Sequence, residues 1–143
     1  ERYMQRYLFG AAPLAMLFGA MLTVMVQSSS ITTSMIVPLI GAGIITLEQV
    51  FPFTLGANIG TTVTAMLASL ATGNIAAVTV AFAHLFFNLT GIALVYPIKS
   101  IRHIPIRLAR MLAELTSRSR LYAILYVALV FFLIPLGLIF LWR

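Results

Sequence analysis

A cluster of polar residues stands between two apolar runs near the start of the chain. Seven of the eight residues from Gln27 to Ser34 carry a hydroxyl or an amide, and none is charged. The flanking residues, 11–26 and 35–45, are largely apolar. A single hydroxyl at membrane depth usually bonds a neighbouring helix. Because consecutive residues of a helix point about 100° apart, seven polar side chains cannot share one face, so some must face a cavity, a ligand or another polar segment.

The composition points to an integral membrane protein. Apolar residues make up 62% of the 143 and charged residues 8%, and the mean hydropathy is +1.07. The chain has no Cys, which excludes disulfides and thiolate metal sites. It has no Asp, and its acids are Glu1, Glu48 and Glu114. Paired-carboxylate catalysis and carboxylate metal cages therefore lack the necessary residues, and we expect neither an enzyme nor a resident cofactor.

Segment 8–45 is predicted to form a re-entrant helical hairpin. Its two apolar parts are short against the roughly 20 residues that a membrane-crossing helix needs. A helix–tip–helix element that enters the membrane and returns to the same side fits better. The Gln27–Ser34 cluster would form its tip.

Segment 47–72 is predicted to form a discontinuous transmembrane helix. Gly56 and Gly60 flank Asn58 between two apolar halves, and glycine permits unwound backbone. Such backbone at membrane depth is tolerated only where it is buried in protein or lines a cavity. The second half would begin with three hydroxyl oxygens, from Thr61, Thr62 and Thr64.

The rest of the chain is predicted to hold two further transmembrane helices, 75–98 and 121–142, separated by an amphipathic interfacial helix, 101–118. The fold class is thus an all-α integral membrane protein. Within the first helix His84 and Asn88 lie one turn apart and share a face. An intramembrane His is a functional candidate, but a neutral His bonded to a neighbouring helix explains it equally well.

The basic residues indicate an orientation in the membrane. With either a re-entrant hairpin or two full crossings, residues 1–6 and 99–120 lie on one side, which carries eight of the nine basic residues. This asymmetry predicts that 1–6 and 99–120 lie on the cytoplasmic side of a plasma membrane or bacterial inner membrane. It also accounts for the net charge of +6 without nucleic acid. The chain starts with neither Met nor a signal peptide, and we expect it to be a piece of a longer protein.

Two polar breaks near the middle of the membrane are typical of secondary transporters. Ser28–Ser30 suit an oxyanion such as phosphate, because hydroxyls and N–H groups at a helix start donate hydrogen bonds. Sodium prefers neutral oxygens, which Asn58 and the hydroxyls of 61–64 supply. A cation and an anion in one pocket offset each other's desolvation, so the site needs no local acid.

Several motifs spread along the chain have a combined pattern that is specific. They are Gln27-Ser-Ser-Ser, Pro38-Leu-Ile-Gly, Leu55-Gly-Ala-Asn-Ile-Gly-Thr-Thr, Ala83-His-Leu-Phe-Phe-Asn-Leu-Thr-Gly, Tyr96-Pro97, Ile104-Pro-Ile-Arg-Leu-Ala-Arg and Phe131-Phe-Leu-Ile-Pro. From about Thr23 onward the chain resembles the type II sodium-dependent phosphate cotransporter family. Within that family it is similar to the C-terminal of two inverted repeats.

The resemblance implies sodium:inorganic phosphate symport, with Na⁺ as the coupling ion and the lipid bilayer as surroundings. It also implies that the N-terminal repeat half or a second chain completes the site. Taken with the residue-level argument, it predicts that phosphate is bound by Gln27, Ser28, Ser29, Ser30, Thr61 and Thr62. The predicted Na⁺ ligands are Gln27, Ser30, Asn58, Thr61 and Thr64. Supporting roles are predicted for Thr32, Thr33, His84 and Asn88.

Two other functions are compatible with the same pattern. A sodium-coupled carboxylate transporter also uses hairpin tips and broken helices rich in Ser, Asn and Thr. A non-transporting membrane assembly subunit would use the hydroxyls only to hold helices together.

Overall fold

The computed structural model describes residues 9–142. Its helices, in chain order, are α1 (Ala12–Val26), α2 (Ser29–Ser34), α3 (Val37–Gly41), α4 (Leu47–Thr72), α5 (Ile75–Val95), α6 (Lys99–Arg118), α7 (Arg120–Ala128) and α8 (Ile134–Leu141), with a π-helical segment, Leu129–Leu133, between the last two. No strand occurs among these residues, which confirms the predicted all-α class. The N-terminal residues 1–6, predicted to be cytoplasmic, lie outside the described part.

Three helical stretches of the described chain are long and apolar enough to cross a membrane. They are α4, α5 and the continuous stretch Arg120–Leu141. Helix α1 and the stretch Ser29–Gly41 are apolar but shorter. The chain divides into two compact units, one ending at Arg102 and the other beginning at His103.

The polar cluster forms a tight connection between α1 and α2. Gln27 ends α1 in the left-handed conformation, with φ 57°, and its N–H donates to the Thr23 carbonyl at 2.7 Å. Ser28 is extended, and its hydroxyl accepts from the Ile31 N–H at 3.3 Å, which caps α2. The turn itself is therefore confined to Gln27 and Ser28, while the rest of the predicted tip is helical.

The predicted break in segment 47–72 is wrong, because α4 is one continuous helix. It begins with a capping box, in which Thr46 and Gln49 satisfy each other's backbone N–H groups at 3.3 and 3.0 Å. It ends at Gly73, which has φ 64°. The glycines inside it thus do not mark unwound backbone, and another reason for them is needed.

That reason is the close contact between α1 and α4. A Cβ placed on Gly56 would collide with the Met16 carbonyl, and one on Gly60 would lie 2.5 Å from the Ala20 carbonyl oxygen. Small residues that let two helix backbones touch are a recurrent feature of membrane helix packing. Met16 faces Gly56, and Ala20, four residues later in α1, faces Gly60, four residues later in α4. The two helices therefore run in the same direction.

The apolar core lies at the start of both helices, at the end remote from Gln27. Three rings meet there, with centroids 6.2 Å apart for Phe9 and Phe18, 5.8 Å for Phe9 and Phe53, and 5.7 Å for Phe18 and Phe53. Phe53 is fully buried. Ile36 and Ile45 join this cluster, so the junction between α2 and α3 and the loop after α3 are held near the parallel pair.

Helix α5 follows α4 through a turn at Gly73 and Asn74. The Asn74 side chain accepts from the N–H groups of Ala76 and Ala77 at 2.9 and 3.3 Å, which satisfies two N–H groups at the start of the helix. The helix ends at Val95, three residues before the predicted end of the segment.

Replacing Asn74 with alanine is expected to lower the free energy of unfolding by about 1 kcal/mol, because it removes this cap. Asn74→Ser keeps a side-chain acceptor and should stay close to the wild type. Thermal unfolding of the purified protein in detergent measures both variants. An equal loss in Asn74→Ser and Asn74→Ala would show that the cap is not the cause.

In the second unit the last helical stretch contains a local irregularity. The π-helical residues Leu129–Leu133 end two residues before Pro135, which has no N–H to donate to the Phe131 carbonyl. A π-helical turn is common where the regular backbone hydrogen bonds of an α-helix are interrupted. The helix continues beyond it to Leu141, as the predicted span 121–142 requires.

Candidate functional site

The parallel course of α1 and α4 brings the polar tip level with the threonines of α4. Gly60 contacts Thr23, since a Cβ on Gly60 would lie 2.7 Å from the Thr23 Cβ. Gln27 lies one turn beyond Thr23, and Thr64 lies one turn beyond Gly60 on the same face of α4. Helix α2, which holds Ser29 to Ser34, also contacts α4, so the two polar segments that the sequence singled out lie side by side, although α4 is not broken.

The side chains at the tip offer hydrogen-bond donors. Gln27 and Ser30 are exposed, and Ser28 and Ser29 are half-buried. The hydroxyls of Ser29 and Ser30 have no partner among residues 9–142, whereas their carbonyls accept from the Thr33 hydroxyl at 2.8 and 3.2 Å. Two serine hydroxyls and one amide are thus available to donate to a ligand at this point.

The threonines of α4 offer acceptors instead. Thr61 donates its hydroxyl hydrogen to the Ala57 carbonyl at 3.1 Å, and Thr64 donates to the Thr61 carbonyl at 2.7 Å. A hydroxyl whose hydrogen is used in this way still presents oxygen lone pairs. Both residues are half-buried. Because their hydroxyl hydrogens are already donated, their oxygens suit a cation better than an oxyanion. Thr62 is fully buried and donates to the Ile59 carbonyl at 2.7 Å.

Two buried hydroxyls near the tip stand out because they do not bond back to their own helices. Thr23 on α1 and Thr32 on α2 are both fully buried, and neither hydroxyl has a hydrogen-bond partner within the described part of the chain. Thr32 was predicted to have a supporting role, but Thr23 was missed. The available signal was its position, as the one hydroxyl in an apolar run and one turn before Gln27.

Thr23→Val is expected to raise the free energy of unfolding by about 1 kcal/mol, because it removes an unpaired buried hydroxyl at nearly constant shape. The matched control is Thr62→Val, which removes a buried hydroxyl that is already bonded and should bring no gain. Denaturant unfolding in detergent compares the two. A loss of stability in Thr23→Val would show that the Thr23 hydroxyl does form a hydrogen bond.

The structure does not bring Asn58 to the tip. Asn58 and Gly60 are two residues apart, so their side-chain directions differ by about 160° around α4. Asn58 instead faces α5, where the Asn88 side-chain amide donates to the Asn58 carbonyl at a long 3.5 Å. The two asparagines line a groove of about 210 Å³, together with Phe51, Leu55, Phe87, Gly91, Ile92, Val95 and Tyr96.

His84 lies apart from both groups of polar residues. It is exposed and borders a shallow, mainly apolar depression that also includes Ser69 of α4 and Ala81 of α5. His84 and Asn88 lie one turn apart on α5, but Asn88 lines the groove and His84 borders the other depression.

Comparison with known proteins gives a consistent result. The family model described as Na+/Pi-cotransporter matches residues 2–117. Sodium-dependent phosphate transport protein 2B of Homo sapiens is 51% identical over 126 residues, which cover 86% of this chain and 18% of that protein. Protein 2A of Ovis aries is 49% identical over 124 residues, covering 85% of this chain and 19% of that protein. The chain thus spans about a fifth of the length of these relatives.

A second 2A protein, from Mus musculus, is 48% identical over 124 residues, covering 85% of this chain and 19% of that protein. No solved structure gave a significant match. The family match covers most of the chain and confirms the resemblance found in the motifs, and the family is one of transporters rather than enzymes. The chain belongs to the Na+/Pi-cotransporter family.

Proposed function

We propose that the chain forms part of a membrane transporter that carries inorganic phosphate together with Na⁺. The main support for this proposal is that the donor-rich tip lies beside α4, which carries the acceptor threonines, in a chain of this family. The relatives named above are sodium-dependent phosphate transport proteins. The proposal extends that activity to the protein to which this chain contributes.

Phosphate is proposed to bind at the tip. Ser29 and Ser30 contribute hydroxyl donors, Gln27 contributes its amide, and the N–H groups at the start of α2 add further donors. Ser28 plays a different part, because its hydroxyl already accepts from Ile31 and holds the turn in shape. Thr62 is a weaker phosphate ligand than the sequence suggests, since its hydroxyl hydrogen is bonded inside α4.

Na⁺ is proposed to bind beside the phosphate, on the α4 side of the tip. The lone pairs of Thr61 and Thr64 and the Gln27 side-chain oxygen are neutral ligands of the kind that hard cations prefer. A phosphate held close by supplies the compensating negative charge, which reduces the cost of removing the cation from water. Such pairing also links the two affinities, because each ion strengthens the binding of the other.

Asn58 is proposed as a separate Na⁺ ligand in the groove between α4 and α5. Its side chain is exposed in this chain, and a polar amide on a membrane-spanning helix needs a polar partner. Asn88 lies across the groove from it, with its side-chain amide 3.5 Å from the Asn58 backbone carbonyl oxygen. The tip and the groove are therefore two distinct places at which Na⁺ dependence can be tested.

Several features of the complete protein belong to the same proposal. The α1–α3 hairpin is re-entrant, and residues 99–120 lie on the cytoplasmic side of the membrane. The chain is one half of an inverted-repeat transporter, and the other half, or a second chain, completes the phosphate site and covers the polar tip.

Radiolabelled phosphate uptake into proteoliposomes that contain the full-length protein tests the proposal. We expect uptake with an inward Na⁺ gradient, little uptake when K⁺ replaces Na⁺, and competition by arsenate. Competition by dicarboxylates but not by arsenate would identify a carboxylate transporter instead. The absence of any Na⁺-driven flux, with a correctly inserted protein, would favour the assembly-subunit function.

A further inference from the structure

Helix α6 carries more positive charge than any other helix in the described part of the chain. Its basic residues outnumber its acids by five to one, a surplus of four charges (5 − 1), with Lys99, Arg102, Arg107, Arg110 and Arg118 against Glu114. Arg102 lies over the Tyr96 ring at 5.2 Å, which gives that side chain a local partner. Arg107 and Arg118 are exposed, and the side of α6 that they occupy is called the basic face below.

Beside these two arginines runs an exposed apolar face of α6. Ile104, Leu108, Met111 and Leu115 recur at intervals of four, three and four residues and so share one face. Their exposed fractions are 54%, 60%, 57% and 46%. An apolar stripe flanked by basic residues is typical of a helix that lies at a membrane interface.

The neighbours of α6 in the chain fix its depth. It follows α5 after three residues and precedes the stretch Arg120–Leu141 by one residue, and both neighbours are long and apolar enough to cross a membrane. The two ends of α6 therefore lie where spans end, at the bilayer surface. A transmembrane position is excluded, because it would carry five cations through hydrocarbon.

We propose that α6 is a binding surface for anionic phospholipid headgroups. The apolar stripe enters the acyl-chain boundary while the basic face meets the headgroups, and the surplus of positive charge selects anionic over zwitterionic lipid. A depression of about 210 Å³ on α6, lined by Met111, Glu114, Leu115 and Arg118, lies at the border between the two faces. There a lipid phosphate and the start of its acyl chains find basic and apolar partners side by side. This inference does not depend on the proposed transport activity.

The test is lipid selectivity of the reconstituted full-length protein, measured by electron paramagnetic resonance in phosphatidylcholine vesicles. Trace spin-labelled phosphatidylglycerol or phosphatidylcholine reports the fraction of lipid held at the protein surface. We expect the wild type to prefer phosphatidylglycerol, and the double variant R107Q/R118Q to reduce that preference by at least about fivefold, because each of the two removed charges contributes about 1 kcal/mol near an anionic headgroup. R107K/R118K keeps the charge and should retain the preference. E114Q removes the negative charge of α6 and should strengthen the preference for phosphatidylglycerol.

Four results would overturn the proposal, provided that circular dichroism shows equal helix content in all variants. The first is equal association of both lipids with the wild type. The second is an unchanged preference in R107Q/R118Q. The third is loss of the preference on adding inorganic phosphate, which would assign the basic face to the free ion. Binding of a labelled RNA that requires Arg107 and Arg118, without lipid preference, would assign it to nucleic acid.

Discussion

Gly56→Ala is expected to lower the free energy of unfolding by about 3 kcal/mol, at the upper end of the range for overpacked interiors. The added Cβ would occupy the position of the Met16 carbonyl. Backbone cannot rotate out of the way as a side chain can, so α1 and α4 must separate along their whole contact. Denaturant unfolding of the purified protein in detergent measures the loss.

The matched control for this variant is Gly91→Ala. Gly91 lies inside α5, and a Cβ placed there would meet nothing within 4 Å. Alanine favours the helix over glycine by roughly 0.5–1 kcal/mol, so this variant should be as stable as the wild type or slightly more stable. Equal stabilities for Gly56→Ala and Gly91→Ala would contradict the close contact between α1 and α4.

Ser29→Ala and Asn58→Ala are expected to impair uptake in different ways. Ser29→Ala removes a phosphate donor, and an unpaired buried partner costs about 1–3 kcal/mol, so the phosphate concentration for half-maximal uptake should rise about tenfold. Asn58→Ala removes a Na⁺ ligand in the groove and should raise the half-maximal Na⁺ concentration by a similar factor. Uptake in proteoliposomes, measured against each ion separately, distinguishes the two effects.

Thr79→Ala serves as the control for both variants. Thr79 is exposed on α5, and its hydroxyl donates to the Ile75 carbonyl in the same helix, away from the tip and the groove. Its uptake should match the wild type. Unaltered kinetics in Ser29→Ala would refute the role of the tip, and unaltered Na⁺ dependence in Asn58→Ala would remove the groove from the account.

The sequence predicts the elements of this fold well because each is marked by a local signal. Apolar length marks α5 and the stretch Arg120–Leu141, the Gly73-Asn74 turn separates α4 from α5, and periodic apolar residues mark α6. Such signals depend on residues close together in the chain, so they survive without knowledge of the tertiary structure.

The error in α4 arises because glycine has two uses that look alike in a sequence. Gly56 and Gly60 are spaced by four residues, which places them on one helix face and suits close packing against another backbone. The same residues around an asparagine also suit an unwound segment. Only the position of α1, whose Met16 and Ala20 carbonyls touch these glycines, decides between the two.

The residues of the site show the same contrast between what local sequence signals indicate and what only tertiary contacts decide. The contact of α2 with α4 brings together two polar segments that must both avoid lipid, and that requirement is readable from hydropathy. The separation of Asn58 from the tip follows from the helical phase of α4, which the predicted break had left undefined. The burial of Thr23 depends on packing against Gly60, a contact between residues far apart in the chain.

The central claim is that phosphate and Na⁺ move together through a site to which the tip contributes. Entry of radiolabelled Na⁺ into proteoliposomes, measured with and without external phosphate, tests it most directly. We predict that phosphate accelerates Na⁺ entry in the wild type, and that Ser29→Ala shifts this acceleration to higher phosphate concentrations. Na⁺ entry that is the same with and without phosphate would contradict the account.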